Sequence, residues 1–178
     1  MLNTMTKLLG AFIIFSIVAN AQDIKTKMAP DFSLPDMEGK IVRLYDQLGT
    51  GPIYITFWAT WCKPCLEEMK IIQRIYEKYQ SKGLRVLAIN NEGPKAMSKI
   101  KSYVKSNNWT FDILIDKDGE VFRRKYKGFA QPYSVLTDPE GKILFSSIGF
   151  KPGDEVKIEN IIVANLVAPD TSKAGTEE

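Results

Sequence analysis

One stretch constrains this chain more than any other. Ile53-Tyr54-Ile55-Thr56-Phe57-Trp58 is β-branched and aromatic almost throughout, and after Ala59-Thr60 it runs into Trp61-Cys62-Lys63-Pro64-Cys65. A run of that kind suits a strand buried on both faces in the middle of a sheet. From Leu66 to Ser81 the apolar positions Leu66, Met69, Ile72, Ile75, Tyr76 and Tyr79 recur at helical spacing, and Gly83 marks the stop. A buried strand, a turn carrying two cysteines and a long helix therefore follow one another without a break.

The rest of the chain extends this pattern. Short extended stretches between Ala29 and Leu44, separated by Glu38-Gly39-Lys40, predict a β-hairpin or a pair of short strands. Leu84–Asn90 reads as a strand and Ala96–Asn107 as a helix through Met97, Ile100 and Val104. Phe111–Ile115 is a third strand, Asp118-Gly119 a turn, and Val121–Lys127 a short helix or irregular connection. Ser134–Thr137 and Lys142–Ile148 predict an antiparallel hairpin across Asp138-Pro139-Glu140-Gly141, and Glu155–Val167 an amphipathic closing helix. Alternating strands and helices define an α/β protein, expected to have a central mixed sheet flanked by helices.

The first residues read as an address and not as part of the fold. Lys7 carries a lone positive charge, Leu8–Val18 is almost unbroken apolar sequence, and Ala19-Asn20-Ala21 is the small-x-small pattern of a signal-peptidase site. Residues 1–21 are thus expected to be a cleaved signal peptide, since the apolar run falls short of the ~20 residues a membrane span needs. With no cysteine near the cleavage site, a lipid anchor is not expected. Residues 22–168 form one domain's length, enough to bury ~70% of the unfolded surface. The small, polar residues 169–178 read as a disordered tail.

Composition removes several classes of function. The 24 basic and 21 acidic side chains nearly balance, and the leader holds only Lys7, which argues against a nucleic-acid surface. With no histidine, Ser-His and Cys-His catalysis and mixed Cys/His zinc sites are excluded, and two cysteines cannot close a four-ligand thiolate site. No metal or separate cofactor is expected. Exported proteins usually place disulfides across distant segments, but a bridge between Cys62 and Cys65 would enclose only Lys63 and Pro64. So short a loop restricts the unfolded chain very little, which favours redox chemistry over a structural staple.

The chemistry follows from the helix start. At a helix N-terminus the unpaired N–H groups and the helix dipole favour the thiolate of Cys62, making it the nucleophile. Cys65, one turn further on, is the resolving thiol. Pro64 suits the first helical turn, and Lys63 sets a cation beside the developing thiolate. Trp58 and Trp61 are expected to flank the pair, one packing inward and one shaping the client surface.

Phe57-Trp58-Ala59-Thr60-Trp61-Cys62-Lys63-Pro64-Cys65 resembles the active-site segment of the thioredoxin superfamily. Ala29-Pro30-Asp31-Phe32-Ser33-Leu34-Pro35-Asp36 with Gly39-Lys40 resembles the N-terminal extension of its TlpA-like, ResA-like branch. Thr137-Asp138-Pro139-Glu140-Gly141-Lys142-Ile143 is similar to that branch's late hairpin. The resemblance spans about residues 29–167 and implies a thioredoxin fold with an N-terminal β-hairpin extension. It implies a monomeric, exported or periplasmic thiol-disulfide oxidoreductase with disulfide-bearing client proteins, including apocytochromes, and an upstream electron donor such as a membrane thiol-disulfide transporter. It also implies that Gln131-Pro132 is a cis bond facing the cysteines, with the Gln131 backbone available to an extended client segment.

The resemblance has departures. Gln131 precedes the proline and Tyr133-Ser134 follow it, where many members carry Thr or Val before and Thr after. Thr56 occupies the strand position where many thioredoxins keep a buried aspartate, and threonine is no base at neutral pH. Glu92, just after the next strand, is therefore a candidate proton acceptor for Cys65, with a solvated loop glutamate as the alternative. Arg123-Arg124-Lys125 and Lys127 are either a solvated surface or a docking patch for an acidic partner. Two other functions stay in view, a thiol peroxidase and a non-catalytic binding domain. A peroxidatic cysteine normally follows Thr or Ser by three residues, where Cys62 has Ala59. The direction of electron flow is not legible in Lys63-Pro64, and a reductant is the expectation.

Overall fold

The computed structural model describes residues 27–166, so the expected leader and tail lie outside the described residues. Strands β1 (Ser33–Pro35) and β2 (Ile41–Arg43) form a separate antiparallel hairpin. The main sheet contains β3 (Ile53–Trp58), β4 (Arg85–Asn90), β5 (Asp112–Ile115), β6 (Tyr133–Thr137) and β7 (Ile143–Ile148). The helices are α1 (Lys63–Tyr79), α2 (Met97–Asn107) and α3 (Asp154–Ala164). Strand order is β5-β4-β3-β6-β7, with parallel pairing on the β4 side of β3 and antiparallel pairing on the β6 side. This is the expected mixed sheet with a hairpin extension.

β3 lies at the centre and is buried at every residue. Because side chains alternate across a strand, it serves two apolar layers at once. Tyr54 and Trp58 join Met69 and Ile72 of α1, Ile100 of α2 and Ile158 and Ile162 of α3. Ile53, Ile55 and Phe57 face the other way, against Phe32, Leu34, Leu44, Phe122 and Tyr126. The second face is thus covered by the N-terminal extension and by the connection after β5, not by a long helix.

Local chemistry explains where the elements begin. α1 starts at Lys63, ahead of the periodic stretch, because the Cys62 sulfur accepts the Cys65 N–H at 3.3 Å and Pro64 needs no partner in the first turn. The connection expected to be short or irregular is a single π-helical turn, Val121–Lys125. Buried Asp116 organises it by accepting from the backbone N–H groups of Val121, at 3.3 Å, and Phe122, at 2.9 Å. Phe57 then packs against Phe122 and Tyr126 at centroid distances of 5.2 and 5.1 Å, which fixes the turn to the central strand.

Gly83 ends the helical segment in the left-handed region, at φ 99°, where its backbone passes close to Thr50. A Cβ there would stand 2.0 Å from the Thr50 carbonyl oxygen. Gly39 has a similar φ of 88° but open space around it. Gly83→Ala is therefore expected to cost about 2–5 kcal/mol, combining left-handed strain with overpacking, while Gly39→Ala costs only about 1–2. Urea denaturation of the two variants checks this; equal losses would refute the close approach.

Candidate active site

The turn after β3 brings the two cysteines together at the head of α1. The Cys62 N–H donates to the Ala59 carbonyl at 3.1 Å, and Cys62 is itself the N-cap residue. Cys62 and Cys65 form a disulfide with a Cα–Cα separation of 5.3 Å. Cys65 has no exposure, whereas Cys62 keeps 4% of its surface. Attack from outside therefore reaches Cys62 first. Lys63 and Pro64 are exposed at the rim. Trp58 packs inward against Trp109 in an edge-to-face pair at 5.4 Å, while Trp61 is 70% exposed beside Cys62.

Behind the disulfide lies a group the sequence reading missed. Glu68 is fully buried on α1, one turn beyond Cys65 and on the same helix face. The Tyr54 hydroxyl donates to its Oε1 at 2.7 Å, the Thr56 hydroxyl to its Oε2 at 2.8 Å, and the Ser134 hydroxyl also donates to Oε1. Thr56 and Ser134 are cross-strand partners on β3 and β6, so the sheet presents its hydroxyls as a set beneath the helix. Burial pushes the Glu68 carboxyl above its ordinary range, and the bonds from Ser134, Tyr54 and Thr56 pull the other way without cancelling it. Burial and the Glu68 charge hold the Tyr54 phenol protonated, so it remains a donor. Thr56 is thus no acid itself but binds one supplied by the helix.

Glu68 leaves a trace in the sequence. It stands three residues after Cys65 and four before Ile72, inside the apolar stripe of an amphipathic helix. The neighbouring Glu67, exposed and paired with Lys70 at 3.3 Å, hides that signal by making the two glutamates look like one solvated patch.

Glu92, the candidate proton acceptor, sits elsewhere in the site, against the turn that precedes Cys62. Its carboxylate accepts from the Thr60 backbone N–H at 2.5 Å, the Thr60 hydroxyl at 2.9 Å and the Asn90 side-chain amide at 3.1 Å. These bonds clamp the turn that leads into Trp61-Cys62 onto the end of β4. The carboxylate is committed to holding the turn, whereas Glu68 lies in line with Cys65 on the helix.

The segment before β6 forms the facing wall. The Gln131-Pro132 bond is cis, and the Gln131 side-chain amide donates to the Asn91 side-chain carbonyl at 2.8 Å. A cleft of about 360 Å³ lies here, with Trp61, Asn91 and Gln131 among its walls. The basic cluster is partly committed: Arg124 pairs with Glu120 at 3.1 Å, and Lys125 donates to the Asp31 carbonyl at 2.7 Å.

The chain is similar to known proteins in family and fold. The profile of the AhpC/TSA family matches residues 26–146. A thiol-disulfide oxidoreductase ResA of Bacillus thuringiensis is 37% identical over 118 residues, which is 66% of either chain. The ResA of Geobacillus thermodenitrificans is 35% identical over 155 residues, covering 84% of this chain and 87% of that one. Among solved structures, a Chlorobium tepidum protein provisionally assigned as a thiol:disulfide interchange protein DsbE superposes with a TM-score of 0.72. It is 32% identical and covers 80% of this chain and 97% of its own.

The raised Glu68 carboxyl makes stability depend on pH. A carboxyl whose native pKa lies above its unfolded one stabilises the fold fully below the unfolded value and loses that contribution as pH rises through the native value. Glu68→Gln removes this dependence. In urea titrations of the oxidised proteins, the wild type should gain on Glu68→Gln as pH falls from about 8 to about 5. A constant difference across that range would refute the assignment.

Proposed function

Because the chain belongs to the AhpC/TSA family, we propose that it is an exported thiol-disulfide oxidoreductase that reduces disulfides in client proteins. The observation that carries this reading is the Cys62–Cys65 disulfide at the head of α1, with the buried Glu68 carboxyl behind it. The reaction begins from the dithiol. The Cys62 thiolate, favoured by the helix N-terminus, attacks one sulfur of a client disulfide. A Cys62–client mixed disulfide forms, and the client's other sulfur leaves as a thiolate that takes a proton from water.

The second step needs a proton removed from a buried place. Glu68 accepts the Cys65 thiol proton, and the Cys65 thiolate attacks the Cys62 sulfur. The internal disulfide forms and the second client thiol is released, so two electrons have passed from the protein to the client. A carboxyl with a raised pKa suits this task, because it binds the proton yet can return it near neutral pH. Tyr54, Thr56 and Ser134 hold the carboxylate while it is charged. Glu92 positions the turn through Thr60, and the Gln131 backbone beside Pro132 receives the extended client segment.

An upstream dithiol donor must restore the reduced state, and a membrane thiol-disulfide transporter fits a protein led out by residues 1–21. Reduction of apocytochrome cysteines is the setting that the TlpA-like resemblance of residues 29–167 implies. Among the described residues no helix is long and apolar enough to cross a membrane. The described domain is expected to act as a monomer.

Insulin reduction by the purified mature chain tests the reading. Cys62→Ser should lower the rate about a thousandfold or more, and Cys65→Ser should accumulate mixed disulfides with clients. Glu68→Gln should slow resolution of the mixed disulfide about a hundredfold and shift its pH profile, while Glu92→Gln should leave that profile in place. Equilibration with glutathione should give a potential nearer to about −270 mV than to about −120 mV. A value at the oxidising end would reverse the assigned direction.

A further inference from the structure

Two large aromatic side chains stand in water on either side of one cleft. Trp61 is 70% exposed and Phe129 80% exposed, and both line the cavity beside Gln131. Covering side chains of that size removes a large apolar area from water, so placing two at one site favours an apolar occupant. The buried Phe122 also lines the cleft, and its ring rests directly on the backbone of Gly128. A Cβ at Gly128 would stand 2.1 Å from a Phe122 ring carbon, so the glycine is what lets the ring lie back and leave the cleft open. The bond from Gln131 to Asn91 fixes the opposite wall.

The charged side chain among the cleft's lining residues is the cation Arg123. Lys127 lies on the same segment, and among the described residues neither pairs with a carboxylate. Arg123 donates to the Asp118 backbone carbonyl, which leaves most of its five donors open. Of the nearby acids, Glu92 is engaged by Thr60 and Asn90 and Glu120 by Arg124, while Asp118 meets Arg123 through its backbone carbonyl.

We propose that this cleft is a specificity subsite for client segments that carry, beside the cysteine to be reduced, a bulky apolar side chain followed by an acidic one. The apolar side chain enters between Trp61, Phe122 and Phe129, and the acidic one meets Arg123. The position follows from the chain: Trp61 adjoins Cys62 and Gln131 adjoins Pro132, so a segment lying across both passes over the cleft. The volume of about 360 Å³ holds one such side chain. The proposal rests on the reductase reading and names its preferred clients.

Short synthetic peptides bearing a glutathione-capped cysteine test it, with Phe-Glu, Phe-Lys or Ser-Gln next to that cysteine. The full mature chain, reduced beforehand, is used, and each turnover oxidises the Cys62/Cys65 dithiol while releasing the peptide thiol and glutathione. The Phe-Glu peptide should exceed Ser-Gln in kcat/KM by about tenfold or more, chiefly through KM, with Phe-Lys between them. Phe129→Ala should remove about tenfold for Phe-Glu and leave both Ser-Gln and a small aromatic disulfide unaffected. Arg123→Glu should invert the order of Phe-Glu and Phe-Lys. Equal rates for all three peptides, or a Phe129→Ala loss shared by all substrates, would overturn the subsite while leaving the reductase reading intact. Failure to reduce even the small disulfide would overturn both.

Discussion

Everything in this molecule hangs on the two-sided burial of β3. A strand covered on both faces must satisfy its ladder on both edges, so it lies between β4 and β6 and cannot be displaced without exposing two apolar layers. The same alternation decides the chemistry. Tyr54, Thr56 and Trp58 face α1, so two of the three groups beneath the cysteine helix are hydroxyl donors. Phe57 faces the other way and anchors the π-helical turn that shapes the client cleft. One six-residue strand thus contacts the buried Glu68 carboxylate on one face and the π-helical turn on the other.

The two carboxylates of the site illustrate how environment separates roles. Glu92 accepts a backbone N–H, a hydroxyl and an amide at the end of a strand, which makes it a clamp on the turn before the nucleophile. Glu68 has no contact with water and three hydroxyl partners, an arrangement that tolerates both its charged and its neutral form. Of the two, only Glu68 is fully buried and lies on the cysteine helix, three residues beyond Cys65. At the strand position where many thioredoxins place an acid this chain has Thr56, and its hydroxyl donates to the buried carboxylate that the helix supplies.

Much of the fold was legible because it is local. The apolar run at 53–58, the helical period after Cys65, the stop at Gly83 and the late hairpin each depend on neighbours within a few residues. The cysteine pair was legible for the same reason, since its spacing and its place at a helix start are properties of one short segment. Less visible were the π-helical turn, set by Asp116 accepting from two N–H groups several residues on, and the covering of the second sheet face by the N-terminal extension.

By itself, then, the sequence determined that a buried strand, a two-cysteine turn and an amphipathic helix follow one another, because propensity and periodicity act along the chain. It also determined which reactive groups exist: two thiols, no histidine and a limited set of carboxylates. What only the tertiary structure decided is which carboxylate is buried against the sheet's hydroxyls and which aromatics line the cleft beside Trp61. Those choices depend on Tyr54, Thr56 and Ser134 meeting Glu68 across the gap between sheet and helix, and on Phe122 and Phe129 arriving beside Trp61 from 61 and 68 residues further along the chain. Desolvation and hydrogen bonding at such junctions are properties of packed surfaces, and no single segment carries them.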